Sequence, residues 1–337
     1  MGKYYPRTAH AGHDSVLPNQ PVNRKKSVRR GRRKSHTKYC SFKNCDNKWT
    51  ILHSNIRGFN SKKKSFQSII QGVNPNLVTI NEVAFRKDKR LNLPGYSSYN
   101  KNRLKESMGG VATCIRNDEK VFALKTDEGK EKDEYIITRH NQFIKPINVI
   151  NVYGEIESRS TTNEIEARWA RLMEKMRIIK SRDEWVVLIG DLNKAVGNGE
   201  YGEKGNHEKV SFGGKLIHKL LETKKYILVN NTEKCSGGPF TRFDPSDPSN
   251  ENKMSCLELV ILDEELFDFV HEMTIDRNKI FTPHRPVGKG KLRYTDHFSI
   301  ILRFKNIPEK KKMSKNAKLR PSPGIQNEKM AGKNIKR

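Results

Sequence analysis

The segment Trp185–Asn193 constrains the fold most, because five apolar residues run directly into Gly190, Asp191 and, one leucine later, Asn193. An unbroken apolar run that ends at a glycine predicts a strand buried on both faces. If the extended backbone continues past Gly190, Asp191 and Asn193 point the same way, since side chains in a strand repeat every two residues. Open α/β sheets hold ligands at the carboxyl ends of their strands. The segment therefore predicts an α/β fold with a metal or phosphate site at the end of a central strand.

Four other predicted strands adjoin polar residues in the same manner. They are Thr50–Ser54 before Asn55, Leu77–Ile80 before Asn81 and Glu82, Ile147–Val152 before Tyr153, and Phe298–Leu302 after Asp296 and His297. Each run alone is a weak signal, because any of these polar side chains could be a solvated or packing residue. Together they place amides, carboxylates, a tyrosine and a histidine at strand ends, which indicates one shared site.

Helices are expected between these strands. The pattern predicts a first helix over Ser61–Gln71, a long helix capped by Thr161–Glu164, and a helical stretch at Leu216–Leu221. Two further apolar runs, Tyr226–Asn230 and Ser255–Leu262, are typical of strands.

Basic residues exceed acidic ones along the whole chain, with 66 Lys and Arg against 38 Asp and Glu and a net charge of +28. Residues 1–48 hold 13 basic and 2 acidic side chains, and residues 307–337 hold 10 and 2. Both ends lack apolar periodicity, so we expect disordered basic extensions at 1–48 and 306–337 around a folded body at 49–305. A positive electrostatic field favours a polyanionic binding partner, and nucleic acid is a better candidate than anionic lipid. The alternative is that the basic residues are only solvated surface charges with no partner.

Several features of the sequence indicate where in the cell the protein is located. Five cysteines are spread along 337 residues, and Met1–Pro6 does not begin a signal peptide. No apolar segment approaches the ~20 residues that cross a bilayer. The run Arg24–Lys34 is typical of a nuclear-import signal or a phosphate-binding arm. We therefore expect an intracellular, nuclear protein with no membrane contact.

The oxygen-bearing side chains suit a hard cation. Mg²⁺ takes oxygen ligands and keeps several waters, and Glu82 with Asn55 could supply one or two of those ligands. Such a metal stabilises charge on a phosphate or a leaving oxygen. The chain lacks a glycine-rich nucleotide cradle, which argues against a kinase or an ATPase.

The remaining polar residues fit hydrolysis of a phosphate ester. Asp191 could accept a proton from an attacking water while Asn193 holds the phosphate. Tyr153 could donate a hydrogen bond to the phosphate, and His297 beside Asp296 offers a proton shuttle or a phosphate donor.

The order of these residues resembles the endonuclease/exonuclease/phosphatase superfamily, which includes DNase I, exonuclease III, abasic-site endonucleases and inositol polyphosphate 5-phosphatases. The resemblance covers most of 49–305 and rests on Gly190–Asn193 and Thr295–His297, supported by Asn55, Asn81–Glu82 and Tyr153. It implies a DNase I-like fold, a two-sheet α/β sandwich with the site at one edge.

A finer resemblance is to the endonuclease domain of non-LTR (LINE-type) retrotransposons, carried by Asn55–Asn60, Gly109–Ala112, Asn151–Gly154 and Ser255–Ile261. It implies a metal-dependent endonuclease that nicks duplex DNA to a 3′-hydroxyl, with DNA as partner and a reverse transcriptase supplied elsewhere. No obligate protein partner is expected. A phosphoinositide phosphatase and a non-catalytic nucleic-acid-binding remnant are the alternatives.

The resemblance also implies roles for individual residues. Mg²⁺ or Mn²⁺ is implied at Glu82, with Asn55 and Asp296 nearby. Asp191 is implied as the residue that orients or deprotonates water, Asn193 and Tyr153 as phosphate ligands, and His297 as the catalytic histidine. The choice of base between Asp191 and His297 stays open.

Two residues depart from the pattern of the superfamily. Arg57 stands where abasic-site endonucleases carry Asp, which removes a possible metal ligand and adds a cation that could contact nucleic acid. Glu258 stands where an Asp usually bonds the catalytic histidine. Because Glu is one methylene longer, it could displace His297, and a shift of about 1 Å can cost roughly a hundredfold in rate. Reduced activity is therefore one expectation.

Overall fold

The computed structural model describes residues 48–86, 89–103, 109–118, 133–198, 209–247, 249–288 and 290–310. The basic run Arg24–Lys34 and nearly all of both expected terminal extensions lie outside these residues. Within the described chain, no helix is long and apolar enough to cross a membrane.

The described residues form strands that alternate with a few helices. In chain order the strands are β1 (Lys48–Asn55), β2 (Leu77–Asn81), β3 (Tyr96–Lys101), β4 (Val111–Arg116), β5 (Tyr135–His140), β6 (Ile147–Tyr153), β7 (Trp185–Asp191), β8 (Tyr226–Leu228), β9 (Cys235–Ser236), β10 (Glu258–Asp263), β11 (Val270–Ile275), β12 (His284–Pro286), β13 (Leu292–Tyr294) and β14 (Ile300–Lys305). The helices are α1 (Phe59–Val73), α2 (Thr162–Lys180), α3 (Phe212–Glu222) and the short α4 (Glu264–Phe267).

Two mixed sheets face each other. The larger has the order β3-β4-β2-β1-β14-β11-β9, and the smaller has the order β5-β6-β7-β10-β8. Strands β12 and β13 form a separate hairpin. The predicted two-sheet α/β sandwich is confirmed.

Side-chain alternation explains why the sheets stack. In β1, Trp49 and Ile51 face the smaller sheet and pack against Val187 and Ile189 of β7 in one apolar cluster. The outer face of the larger sheet is covered by α1, and the outer face of the smaller sheet by α2 and α3. Burial of both faces accounts for the nearly continuous apolar runs in the central strands.

The predicted helices are confirmed, with boundaries shifted by a few residues. Helix α2 begins with a capping box, because Thr161 Oγ1 accepts from the Glu164 backbone N–H at 3.3 Å and Glu164 Oε2 accepts from the Thr161 N–H at 3.0 Å. Helix α1 ends at Asn74, whose left-handed backbone has φ 48°. Amide side chains tolerate that conformation better than most others.

Three predicted strand boundaries were wrong. The strand at Tyr226 stops at Leu228, because Asn230 turns inward and its side chain bonds the backbone of β10. Strand β10 starts at Glu258 rather than Ser255, which pairs instead with Arg242 in an isolated bridge. The last strand starts at Ile300, two residues later than expected.

The described chain continues past Lys305. Ile307 is buried, the Ile144 N–H donates to the Pro308 carbonyl at 2.9 Å, and the Lys310 N–H donates to the Gln142 carbonyl at 2.8 Å. Residues 306–310 therefore pack along the turn between β5 and β6.

Parallel pairing brings the polar strand ends to one edge. β1 and β2 are parallel with Asn55 opposite Asn81, and β6 and β7 are parallel with Tyr153 opposite Asp191. Because the two sheets face each other, these four residues converge at one end of the sandwich.

Candidate active site

Three buried side chains meet at this end of the sandwich. Ligand-capable atoms of Glu82, Asp191 and His297 all lie within 4.8 Å of one another. Asn55 joins two of them, because its Nδ2 donates to Glu82 Oε1 at 3.0 Å and to Asp191 Oδ2 at 2.8 Å. Residues separated by more than 200 positions in the sequence thus form one cluster.

The Glu82 backbone is held in the left-handed region, with φ 52°. Two adjacent glycines support the turn, since the Val83 N–H donates to the Gly110 carbonyl and the Ala84 N–H to the Gly109 carbonyl. Gly109 itself has φ 100°, a conformation that only glycine adopts readily. The Gly109–Gly110 pair of the retrotransposon-like motif therefore supports the turn that places Glu82 at the site.

A chain of buried amides crosses the interface between the sheets and positions Asp191. The Asp191 N–H donates to Asn81 Oδ1 at 2.8 Å, Asn81 Nδ2 donates to Asn151 Oδ1 at 2.9 Å, and Asn151 Nδ2 donates to the Ala112 carbonyl at 2.8 Å. Gly190 permits the close approach, because a Cβ there would lie 1.9 Å from the Val152 carbonyl oxygen.

The expectation that Asp191 and Asn193 share one face of an extended strand was wrong. Strand β7 ends at Asp191, and Asn193 is left-handed with φ 51°. The Asn193 N–H donates to Asp191 Oδ1 at 3.0 Å, and Asn193 Nδ2 donates to the Gly154 carbonyl at 2.9 Å. A side-chain-stabilised turn, rather than strand alternation, brings the two residues together.

Glu258 reaches His297 despite its extra methylene. The carboxylate is fully buried at the start of β10, and its Oε1 accepts a short hydrogen bond from His297 Nδ1–H. Thr241 Oγ1 accepts from the Glu258 N–H at 3.0 Å and fixes the backbone. The structure therefore places Glu258 in contact with His297, although the sequence analysis expected that the longer side chain could displace the histidine.

The neighbouring carboxylates determine the protonation state of His297. Burial alone would lower the pKa of His297, but the Glu258 carboxylate, with Asp191 and Asp296, outweighs it and raises the pKa to about 9. His297 is therefore an imidazolium at neutral pH, with Nδ1–H directed to Glu258.

The donor set fits a divalent cation. Asp191 and Glu258 are directly opposite in the antiparallel register, an unfavourable arrangement for two anions. Burial, followed by the Glu258 charge, raises the pKa of Asp191 above its ordinary value. Among the described residues, the buried atoms Glu258 Oε2 and Asp296 Oδ1 have no hydrogen-bond partner. Glu82 and Asp191 supply the oxygens that Mg²⁺ or Mn²⁺ prefers, whereas Asn55 presents its Nδ2 to both carboxylates and its Oδ1 accepts from the Arg57 N–H.

Asp296 lies beside this cluster and is already paired. Arg57 Nη1 donates to Asp296 Oδ2 at 2.5 Å, and Arg242 Nε lies 3.7 Å from the same oxygen. Burial would raise the pKa of Asp296, but His297 and Arg57 hold it below its ordinary value. The free Oδ1 lies 3.9 Å from His297 Nε2. A metal-ligand role for Asp296 stays a prediction, because it is not part of the three-residue group.

Tyr153 is buried at the same edge, with the Arg103 guanidinium 5.7 Å from its ring centre. Burial and then the charges of Glu82 and Asp191 raise the pKa of Tyr153, so its hydroxyl stays protonated and can donate. Arg103 bonds Glu134, whose Oε2 accepts from the Gly110 N–H at 2.7 Å.

Several supporting residues escaped the sequence analysis. Asn151 stands in the motif Asn151–Gly154, but its supporting role was not predicted. No local signal marks the remaining ones, Arg103, Glu134, Thr241 and Arg242, because their partners are distant in sequence.

Neither a protein-family model nor a curated protein matches the sequence. Solved structures do match it over most of its length. The fold is similar to that of solved structures of AP endonucleases and of a 3′-5′ exonuclease.

Three neighbours show the extent of the likeness. The AP endonuclease LMAP from Leishmania major is 15% identical, with 77% of this chain and 88% of that chain covered and a TM-score of 0.56. The 3′-5′ exonuclease NExo from Neisseria meningitidis is 19% identical, with 76% and 99% covered and a TM-score of 0.57. The endonuclease domain of TRAS1, a telomere-specific non-LTR retrotransposon, is 13% identical, with 77% and 98% covered and a TM-score of 0.53.

Proposed function

We propose that this protein is a metal-dependent phosphodiester hydrolase, a DNA endonuclease of retrotransposon origin that nicks duplex DNA to a 3′-hydroxyl. The observation that carries the proposal is the convergence of Glu82, Asp191 and His297 within 4.8 Å. Asn193 and Tyr153 flank that cluster at the same edge of the sandwich.

Glu82 would hold the Mg²⁺ or Mn²⁺, with Oδ1 of Asp296 and, once its amide turns, Oδ1 of Asn55 as further ligands. When bound, the ion supplies positive charge that stabilises the oxygens of the phosphate as its charge rises. The opposed carboxylates of Asp191 and Glu258 motivate this assignment, since a cation relieves their repulsion.

The proton chemistry follows from the charges of the site. Asp191 has a raised pKa and serves as the base that takes a proton from the attacking water, while the P–O3′ bond breaks and the departing 3′-oxygen takes a proton from solvent. His297 is held protonated by Glu258, so its Nε2–H donates to a phosphate oxygen rather than accepting a proton. Asn193 and the protonated Tyr153 orient the phosphate between them.

DNA is the substrate best supported. The net charge of +28 favours a polyanion. One structure of the neighbour NExo is bound to a product DNA hairpin, and TRAS1 is a retrotransposon endonuclease. The four retrotransposon-like motifs favour this branch over the phosphatases. We further propose a nuclear location through Arg24–Lys34 and a reverse transcriptase supplied by another chain.

Nicking of supercoiled plasmid tests the proposal. The parent protein should convert supercoiled to open-circular DNA with Mg²⁺ and not with EDTA. His297→Ala should abolish nicking, whereas His271→Ala, a control at an exposed histidine of β11, should nick as the parent does. A DNA polymerase should extend the nicked strand if its end is a 3′-hydroxyl.

A second candidate is a non-catalytic nucleic-acid-binding protein. One observation favours it: the ion pair with Arg57 occupies Oδ2 of Asp296, a residue expected to lie at the metal. A parent protein that binds DNA in a salt-sensitive manner but never nicks it would establish this alternative. Release of inorganic phosphate from a phosphoinositide, without nicking, would instead indicate a phosphatase.

A further inference from the structure

A basic groove opens beside the candidate site, between α1 and the β12–β13 hairpin. Its volume is about 420 Å³, and its described lining includes four cations, Arg57, Lys62, Arg285 and Arg293, against one carboxylate, Asp296. That carboxylate is already bonded to Arg57. The groove therefore has three more cations than anions among its described lining residues.

The two hairpin arginines are directly opposite each other. Arg285 of β12 pairs with Arg293 of β13 in the antiparallel register, which places both side chains on one face. Like charges in this arrangement are destabilising. Among the described residues neither guanidinium has an ion-pair partner, and both are exposed. An anion between them would remove the repulsion.

Lys62 adds a cation at the floor of the groove. It is a buried residue of α1, 7% exposed, and its Nζ donates to the carbonyls of Ile56 at 2.8 Å and Arg57 at 2.9 Å. An ammonium has three protons, so one is left to donate. Burial, and next the charge of Arg285, lower the pKa of Lys62 to about 8.

The hairpin is fixed to the body rather than loose. The His284 N–H donates to Ser65 Oγ of α1 at 3.2 Å, and the His284 ring packs against Tyr294 with ring centres 5.1 Å apart. Thr295 follows the hairpin directly and donates from Oγ1 to the Asn55 carbonyl at 2.9 Å. The positions of Arg285 and Arg293 are therefore linked to the backbone of the candidate site.

We propose that this groove binds a backbone phosphate of a polynucleotide strand, next to the phosphate held at Asp191 and His297. The inference rests on the proposed function and names a second contact point for the same substrate. Asp296 forms a wall of the groove, and its Oδ1 lies 3.9 Å from His297 Nε2, so the two positions adjoin. A polymer held at His297 places further phosphates beside it, which a single lipid headgroup does not. Such a contact carries no sequence information.

Salt-dependent binding tests the groove without relying on catalysis. Fluorescence anisotropy of a labelled duplex oligonucleotide would be measured in EDTA over a KCl series. We compare Arg285→Ala/Arg293→Ala with Arg182→Ala/Lys219→Ala, which removes two exposed cations elsewhere. The hairpin variant should bind about tenfold more weakly at 0.1 M salt than the control variant. The slope of log K against log[salt] should fall by about 1 relative to the control.

Equal affinity and equal slope in the two double variants would overturn the inference, provided that circular dichroism shows both folded. Loss of binding to vesicles containing a phosphoinositide, with DNA binding unchanged, would overturn it in favour of a membrane surface. If the parent fails to nick plasmid but the hairpin variant still loses slope, the groove is supported and the proposed endonuclease is contradicted. If the parent nicks plasmid but the hairpin variant shows no change of slope, the proposed endonuclease is supported and the groove is contradicted.

Discussion

The two ends of the sandwich are made from the same strands and filled in opposite ways. Strand β1 begins at Trp49 and ends at Asn55, and strand β7 begins at Trp185 and ends at Asp191. At the first end both tryptophans lie in the apolar core between the sheets. At the second end the same interface holds amides, carboxylates and an imidazolium.

The apolar end is held by aromatic packing. Trp49 lies 5.3 Å from Phe143 and 5.4 Å from Phe304, measured between ring centres, with the Phe143 ring at an edge-to-face angle. Contacts of this kind add to the free energy of unfolding beyond the area they bury. At the polar end, Asp191 and Glu258 are buried side by side, which opposes folding. The comparison teaches that one end stabilises the sandwich while the other end holds chemistry that costs stability.

Asp191→Asn is expected to have the largest effect on activity. It removes the proposed base, and loss of general base catalysis typically costs about 10²–10⁴-fold in rate. The free energy of unfolding should stay within about 1 kcal/mol of the parent, because removing the charge opposite Glu258 offsets a weakened hydrogen bond. Plasmid nicking and urea denaturation measure the two quantities.

Asp183→Asn is the matched control for this change, since Asp183 is exposed at the apolar end just before β7. It should leave both quantities unchanged. Normal nicking by Asp191→Asn would show that the base has been misassigned.

Trp49→Ala, at the apolar end, should lower stability and leave activity unchanged. Truncating a buried aromatic side chain costs about 3–5 kcal/mol of stability. The nicking rate of the folded variant should stay that of the parent below its melting temperature. Trp169→Ala removes a half-buried tryptophan on α2 and should cost less. A loss below about 1 kcal/mol for Trp49→Ala would contradict the stabilising role assigned to this end.

Glu258→Gln tests whether the charge of Glu258 keeps His297 protonated at the polar end. In the unfolded chain His297 loses its proton near 6.5, whereas the folded site keeps it to about 9. The parent should therefore lose free energy of unfolding as the pH rises from about 6.5 to about 9 in EDTA. Glutamine keeps the reach but lacks the charge, so this pH dependence should shrink.

Urea denaturation at three pH values in this window, followed by tryptophan fluorescence, measures the dependence. Glu222→Gln, at an exposed position on α3, should retain the parental profile. An identical profile for Glu258→Gln would mean that Glu258 does not hold the proton on His297.

Arg57→Ala should have the smallest of these effects. Its Nη1 lies 2.5 Å from Asp296 Oδ2, whereas Arg242 Nε lies 3.7 Å from the same oxygen. We expect Arg57→Ala to cost about 1–2 kcal/mol of stability as a hydrogen bond to a charged group is lost. Arg242→Ala should cost less than about 1 kcal/mol, because its guanidinium lies too far from Asp296 for a hydrogen bond. Equal costs in thermal denaturation would contradict this ranking.

Much of the central fold could be predicted from the sequence. The runs that end at Asn81 and Asp191 are strands because burial on both faces demands nearly continuous apolar residues. The strands that end at Asn55 and Tyr153 were also predicted, although the buried polar residues His53, Asn148 and Asn151 interrupt their apolar residues. The capping box at Thr161 gave the start of α2 to the residue. Strand β3 escaped prediction because Tyr96–Lys101 is a half-buried edge segment without an apolar pattern.

The details of the site depend on contacts that a local pattern does not contain. The bond from Asn81 to Asn151 spans two sheets and 70 positions. The left-handed turn at Asn193 depends on the Asp191 carboxylate and the Gly154 carbonyl that receive its hydrogen bonds. The contact between Glu258 and His297 likewise depended on where the backbone placed them, not on side-chain length alone.

The distance between the site and the start of β1 has an engineering consequence. Lys48 pairs with Lys305 at the end of β1 farthest from Asn55, and Lys310 is fixed at the turn after β5. With eight residues in β1 and a rise of about 3.3 Å per residue, Lys48 lies roughly 25 Å from the site. A tag, an enzyme or a targeting module fused there would leave the catalytic edge open. To act on the nicked strand, it would need a linker at least that long.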